Sequence, residues 1–245
     1  MWTSDSDIYF HRSIGFMGCV KLFHGSHNVV EKPVFGFGNH RNDYGEGFYC
    51  TENRELAGEW ACSDGNDGIV NSYSLDTSDL DILRLNSDKR SILHWIRILI
   101  DNRCIRPNTP VIEAGMRWLK NDPDLDVPVC DVITGCAADD SRFSFVQAFL
   151  ANEISLEQLL YAMALGNLGE QVVLKSRKAF DSISFNGFEE VDTGTYPVLF
   201  ENRDRKARMD FSMMRAEHAL DGLFIRDLVR EEVRSDDPRL QRTVS

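Results

Sequence analysis

Apolar and polar positions alternate in short runs that are separated by longer stretches of helical spacing. Val20, Leu22 and His24 alternate with Lys21 and Phe23, which predicts a strand running into the turn at Gly25. A second apolar run, Val34 to Gly38, is rich in glycine and reads as a strand end or a loop that packs aromatics. Thr51 is positioned as the N-cap of a helix to about Cys62, with Leu56, Ala57, Trp60 and Ala61 on one side. Ile69 to Leu75 and Ile82 to Leu85 read as strands, and Ser87 caps a helix whose stripe is Ile92, Trp95, Ile96, Leu99 and Ile100.

Further along, Asn108 to Lys120 predicts a helix with Pro110 in its first turn, and Val129 to Cys136 a buried strand. From Asp140 a helix turns Phe143, Val146, Phe149 and Leu150 inward, with Asp139 and Asp140 as an N-cap pair. Ser155 and Gln158 form a capping box for Leu156 to Leu165, which Gly166 stops. Glu170 to Leu174 is a strand, Arg177 to Phe180 a helical turn, and Ile183 to Val191 a further strand. The segment from Asp204 to about Arg234 is helical and charged, packing through Phe211, Met214, Leu220, Leu223, Phe224, Ile225 and Leu228. Strands and helices alternate loosely, without the glycine fingerprint of a Rossmann fold, so the expected class is α+β.

Composition narrows this picture. A chain of 245 residues, 42% hydrophobic and 27% charged, can bury a sizeable core. Its six cysteines include no C-x-x-C pair and no His at zinc-ligand spacing, which argues against a structural metal and for a reducing compartment. The beginning of the chain lacks a basic-then-apolar leader, and no run of eighteen apolar residues occurs, so the expected location is cytoplasmic, off the membrane. Net charge is −12; residues 201–245 hold ten acidic and ten basic side chains, leaving 29 acidic against 17 basic before them. Such a surface repels a polyanion at long range, so long nucleic acid is a disfavoured partner, whereas a single nucleotide in a pocket is permitted.

Two stretches carry candidate chemistry. Leu22-Phe23-His24-Gly25-Ser26 ends the first strand, and Gly45-Glu46-Gly47-Phe48-Tyr49 sets an aromatic hydroxyl behind two glycines that let a backbone approach a ligand. These stretches resemble the leucine-aromatic-His-Gly-Ser and Gly-x-Gly-aliphatic-Tyr segments of the poly(ADP-ribose) polymerases, with Ala57 and Trp60 continuing the second. Asp131 to Asp140 and Gly169 to Phe185 are similar to a bacterial branch of the ADP-ribosyltransferase superfamily known only as a domain of unknown function. The resemblance covers roughly residues 20 to 235.

It implies a split, two-sheet α+β core with flanking helices: residues 1–18 as a variable lead, 19–200 as the NAD-binding domain, and 201–245 as a charged helical extension packed on that domain. NAD would be the substrate, with no metal. His24 would bond the adenosine-side ribose, Gly25 would hold the nicotinamide carboxamide through its backbone beside Ser26, and Tyr49, after Gly47, would stack on the nicotinamide ring. Arg41 and Asp43 lie on the loop before the glycines; Arg41 either meets the pyrophosphate or is a solvated loop residue. The third catalytic position falls at Glu170-Gln171, where the wider group expects Glu and this branch favours Gln. Neighbours on a strand face opposite ways, so only one can enter the cleft.

With Glu170 inward, a carboxylate stabilises the charge that develops as the glycosidic bond breaks; with Gln171 inward, an amide orients hydroxyls without negative charge. The implied activity is mono-ADP-ribosyl transfer to a macromolecular acceptor, protein favoured over long nucleic acid, in a toxin, effector or defence role with a cognate antitoxin or regulator as partner. The alternatives are an NAD or ADP-ribose binding module without chemistry, and an NAD glycohydrolase.

Overall fold

A computed structural model describes residues 18–85, 89–103, 105–138, 140–165, 169–216, 222–234 and 237–241. The expected Ser87 and Gly166 helix signals, Asp139, Leu220, Cys104 and most of the N-terminal lead lie outside the described residues. The chain is a mixed α+β protein with two sheets.

The first sheet contains β1 (Cys19–Ser26), β3 (Gly68–Asp76) and β7 (Ile183–Val191) in the order β1-β3-β7, both pairings antiparallel. The second contains β2 (Phe48–Cys50), β4 (Ile82–Arg84), β5 (Val132–Cys136) and β6 (Glu170–Leu174) in the order β2-β6-β5-β4. Among the described residues the two sheets touch edge to edge at one bridge, Phe23 opposite Thr51, where each N–H donates to the other residue's carbonyl at 2.8 and 2.9 Å.

The sheets pack face to face through Leu22, Tyr73 and Leu75 of the first and Cys50, Val132, Val172 and Leu174 of the second. The other face of the first sheet is covered by α1 (Arg54–Ala61), which buries Ala57 and Ala61 against Phe23 and Val70. Approach here is close enough that a Cβ on Gly25 would fall 1.9 Å from the Ala57 carbonyl oxygen. The other face of the second sheet rests on the large helical core of α2 (Lys89–Asn102), α3 (Pro110–Asn121), α4 (Asp140–Leu150) and α5 (Leu156–Ala164). Arg142 of α4 is almost fully buried and donates to the carbonyls of Ala137, Met163 and Gly169, tying together the ends of β5 and α5 and the start of β6.

After the single turn α6 (Arg177–Asp181) and β7, α7 (Tyr196–Ala216) straps the two halves. Its Tyr196 ring lies over Gly58 of α1, Arg203 pairs with the buried Glu59, and Phe211 stacks on Phe145 at 4.2 Å. Short helices α8 (Ile225–Arg230) and α9 (Pro238–Gln241) close on α3 and α2. The expected boundary after residue 200 therefore falls inside one continuous helix, α7.

Several local expectations shift. The N-cap of α1 is Asn53, whose side chain accepts from the Glu55 and Leu56 N–H groups, because Thr51 is consumed by the bridge to Phe23. Trp60 is only partly buried and lies off the packed side of α1. Strand β5 starts at Val132, not Val129, which is fully exposed. In α4 it is Phe145, rather than Phe143, that is fully buried. The Ser155–Gln158 capping box is present as read. Among the described residues no helix is long and apolar enough to cross a membrane.

Candidate functional site at the split between the sheets

Strand alternation fixes what faces what. The Phe23 N–H and C=O point at β2, so those of Gly25, two residues on, point at the same edge, while those of Leu22 and His24 point at β3. Continuing the antiparallel register would set Gly25 opposite Tyr49. The ladder stops there because His24 Nδ1 lies 2.7 Å from the Tyr49 carbonyl oxygen. A carbonyl only accepts, so Nδ1 carries the proton and donates, and Nε2 is left as an acceptor. Burial lowers the His24 pKa and outweighs the opposing effect of that bond, which keeps the ring neutral at pH 7. The side chain thus takes the acceptor that a third ladder bond would have used, and the Gly25 donor and acceptor face the open edge.

The ring of His24 lies on the inner face of its sheet and meets Phe48, centroids 4.5 Å apart. Phe48 in turn contacts Tyr73 and Phe180, and Phe180 contacts Phe35, over which the Arg177 guanidinium sits at 4.7 Å. An aromatic wall therefore runs from His24 out to the exposed loop of Val34, Phe35 and Phe37.

Tyr49 faces the other way. Its hydroxyl donates to the Gly45 carbonyl at 2.6 Å and accepts from the Tyr44 N–H at 3.1 Å, and burial holds its pKa far above the usual tyrosine value. It remains a neutral phenol whose polar end is committed to the glycine turn. Lys175 clamps the same turn, donating to the carbonyls of Tyr44, at 2.6 Å, and Glu46. Gly47 is required there, since a Cβ would fall 2.6 Å from Val173 Cγ1 and 2.8 Å from the Leu174 carbonyl oxygen.

The register of β2 on β6 separates the two carboxamide and carboxylate candidates. Tyr49 pairs with Val173, so Gln171, two residues before Val173, shares the face of Tyr49, and Glu170 shares that of Phe48 and Val172. Gln171 Oε1 is buried and has no hydrogen-bond partner among the described residues. Glu170 is exposed, and its charge adds to burial in raising the pKa of Glu52 against the opposing pull of Arg84. Glu52 and Arg84 line a partly open pocket of about 20 Å³ between the sheets, which Leu22, Leu75 and Val172 also line.

The remaining predicted residues divide. Ser26 Oγ donates to the Asn28 carbonyl at 2.7 Å and accepts from Asn71 Nδ2 at 3.0 Å. Asn71, fully buried, also accepts from the Val30 N–H, and the Tyr73 hydroxyl donates to the Val30 carbonyl, so β3 pins the loop that leaves β1. Asp43 is buried with its carboxylate accepting from Arg103 Nε at 2.8 Å and the Ala138 N–H at 2.7 Å, which makes it a tie between the loop and β5. Arg41 is exposed on that loop.

Phe48, Lys175, Asn71 and Arg142 were not among the expected site residues. Only Phe48 carried a signal, as the strand neighbour of Tyr49 and so the occupant of the opposite face. Among the described residues no group of three or more His, Cys, Asp or Glu side chains could hold a metal ion.

No curated protein and no solved structure matches the chain. A family model described as "Protein of unknown function (DUF3990)" matches residues 20–185. That span opens in β1, includes the glycine turn and the strand bearing Glu170 and Gln171, and ends within β7. The chain belongs to this family of proteins of unknown function.

Proposed function

We propose that this protein is an NAD-dependent mono-ADP-ribosyltransferase built on the split core of that superfamily, with NAD threaded along the open edge between β1 and β2. The observation that carries this reading is the interrupted ladder after the Phe23–Thr51 bridge, whose continued register would set Gly25 toward Tyr49, with Gln171 on the Tyr49 face and its Oε1 unpartnered among the described residues. The Gly25 backbone offers one donor and one acceptor, the complement of a carboxamide. The Tyr49 hydroxyl is committed to Gly45, which leaves the ring to stack on nicotinamide. The neutral His24 presents Nε2 as acceptor to a ribose hydroxyl on the other side of the strand.

In the reaction the nicotinamide glycosidic bond breaks, its electron pair leaves with nicotinamide, and the acceptor nucleophile bonds to the ribose carbon left electron-poor as its proton passes to solvent water. Gln171 accepts from a ribose hydroxyl through Oε1 and holds that ring in place, but it supplies no negative charge. The missing preorganised charge costs on the order of 3 kcal/mol in the barrier, so turnover is slow. A protein acceptor suits a chain of net charge −12 better than a long nucleic acid.

Incubation with NAD labelled on the adenylate side tests the reading. Label on protein with release of nicotinamide is the expected result. Free ADP-ribose as the sole labelled product would identify a glycohydrolase, and binding without nicotinamide release a recognition module.

A further inference from the structure

A second opening lies in the helical half, independent of the split and of any reading of it. It is a groove of about 590 Å³ between α3, α4 and α7, within the ~300–1,000 Å³ usual for small-molecule sites. Its floor is apolar, made by Phe211, Ile112 and Phe145. Its walls carry three guanidinium groups, Arg106, Arg208 and Arg215, in a protein whose net charge is −12.

Two of the three are held in place by partners that leave donors over. Arg208 uses Nε on Asp204 at 2.7 Å, and Arg215 uses Nη2 on Glu153 at 2.7 Å while lying 5.7 Å over the Phe211 ring. Arg106 makes no ion pair or hydrogen bond among the described residues. Glu153 is the one carboxylate in the lining. Asn108, Gln147 and Ser212 add neutral donors and acceptors at the rim. The 12-residue helix α3 begins at this wall, where Thr109 caps the Ile112 N–H.

An apolar floor under a fork of arginines fits an amphipathic anion: a flat body that covers the floor and a phosphate that the guanidinium forks grip in bidentate fashion. The volume matches one nucleotide rather than a chain of them. We propose that this groove binds a phosphorylated small molecule of mononucleotide size, at a site separate from the NAD edge.

Calorimetric titration of the full chain with AMP, adenosine, inorganic phosphate and a pentaglutamate peptide tests the proposal. AMP is expected to bind at least tenfold more tightly than any of the other three. Arg106→Ala, an exposed change with no partner to lose, should weaken AMP at least tenfold with the melting temperature unchanged, as should the double variant Arg106→Ala, Arg208→Ala. Because AMP is also the adenylate half of NAD, the groove is read in the His24→Ala background, where tight AMP binding should persist and be lost when Arg106→Ala is added. Several outcomes overturn the proposal: no AMP binding; adenosine or phosphate binding as tightly as AMP; pentaglutamate binding more tightly; or AMP binding lost in His24→Ala and kept in Arg106→Ala.

Discussion

At the scale of single residues, the site turns on which way four neighbours face. His24 and Phe48 lie on one face, Tyr49 and Gln171 on the other, and Gly25 contributes only backbone to the gap between them. Gln171→Ala should lower turnover by about a hundredfold, the effect of removing one preorganised hydrogen-bonding group, while Glu170→Ala should change it less than about threefold. Equal and small losses in a nicotinamide-release assay would mean that neither residue serves the chemistry.

His24 makes a separate prediction through pH. Its folded pKa lies below the unfolded value of about 6.5, so the unfolded state binds the extra proton first as pH falls. Stability from this group is fully present above about pH 6.5 and declines as pH drops from there toward the lowered folded value. Denaturant melts at pH 7.5 and 5.5 should show His24→Gln losing less stability on acidification than the parent; an identical loss would contradict a buried neutral imidazole.

Of these residues, His24, Gly25, Tyr49 and the Glu170-Gln171 pair were legible in the sequence as motif and spacing. The facing of the pair was not, because alternation gives two equivalent registers until a partner strand fixes one. The engagement of Asp43 by Arg103 and Ala138 was also hidden, since it joins residues sixty and ninety-five positions apart.

At the scale of elements, the split depends on close approach and on buried clamps. Helix α1 rides so low on β1 that Gly25→Ala would drive a methyl into the Ala57 carbonyl, at a cost of about 3 kcal/mol measurable by urea unfolding. A cost near zero would show that α1 is free to move away from the strand. Arg142 is the corresponding clamp on β6, and Arg142→Met strands the buried carbonyls of Ala137 and Met163 and frees that of Gly169, next to Glu170, with an expected loss on the order of 3 kcal/mol. Strand and helix periods exposed most elements, including all three strands of the first sheet. They misplaced the α1 cap and the start of β5, where a bridge to another strand and an exposed Val129 overrode local pattern. Nothing in the local sequence marked the order β2-β6-β5-β4, which is set by long-range pairing.

At the scale of the whole molecule, two sheets meet at one bridge and open on one edge, while the helices bury the far face of the second sheet and α7 straps both halves. The unpaired backbone edge between β1 and β2 thus lies apart from the arginine-lined groove of the helical half. Binding at the first is the central claim, and titration of NAD into the full chain tests it most directly. The parent should bind NAD measurably, and His24→Ala should weaken that binding at least tenfold with the melting temperature preserved; an absence of binding to the parent, or equal affinity in His24→Ala, would contradict an NAD site at this edge.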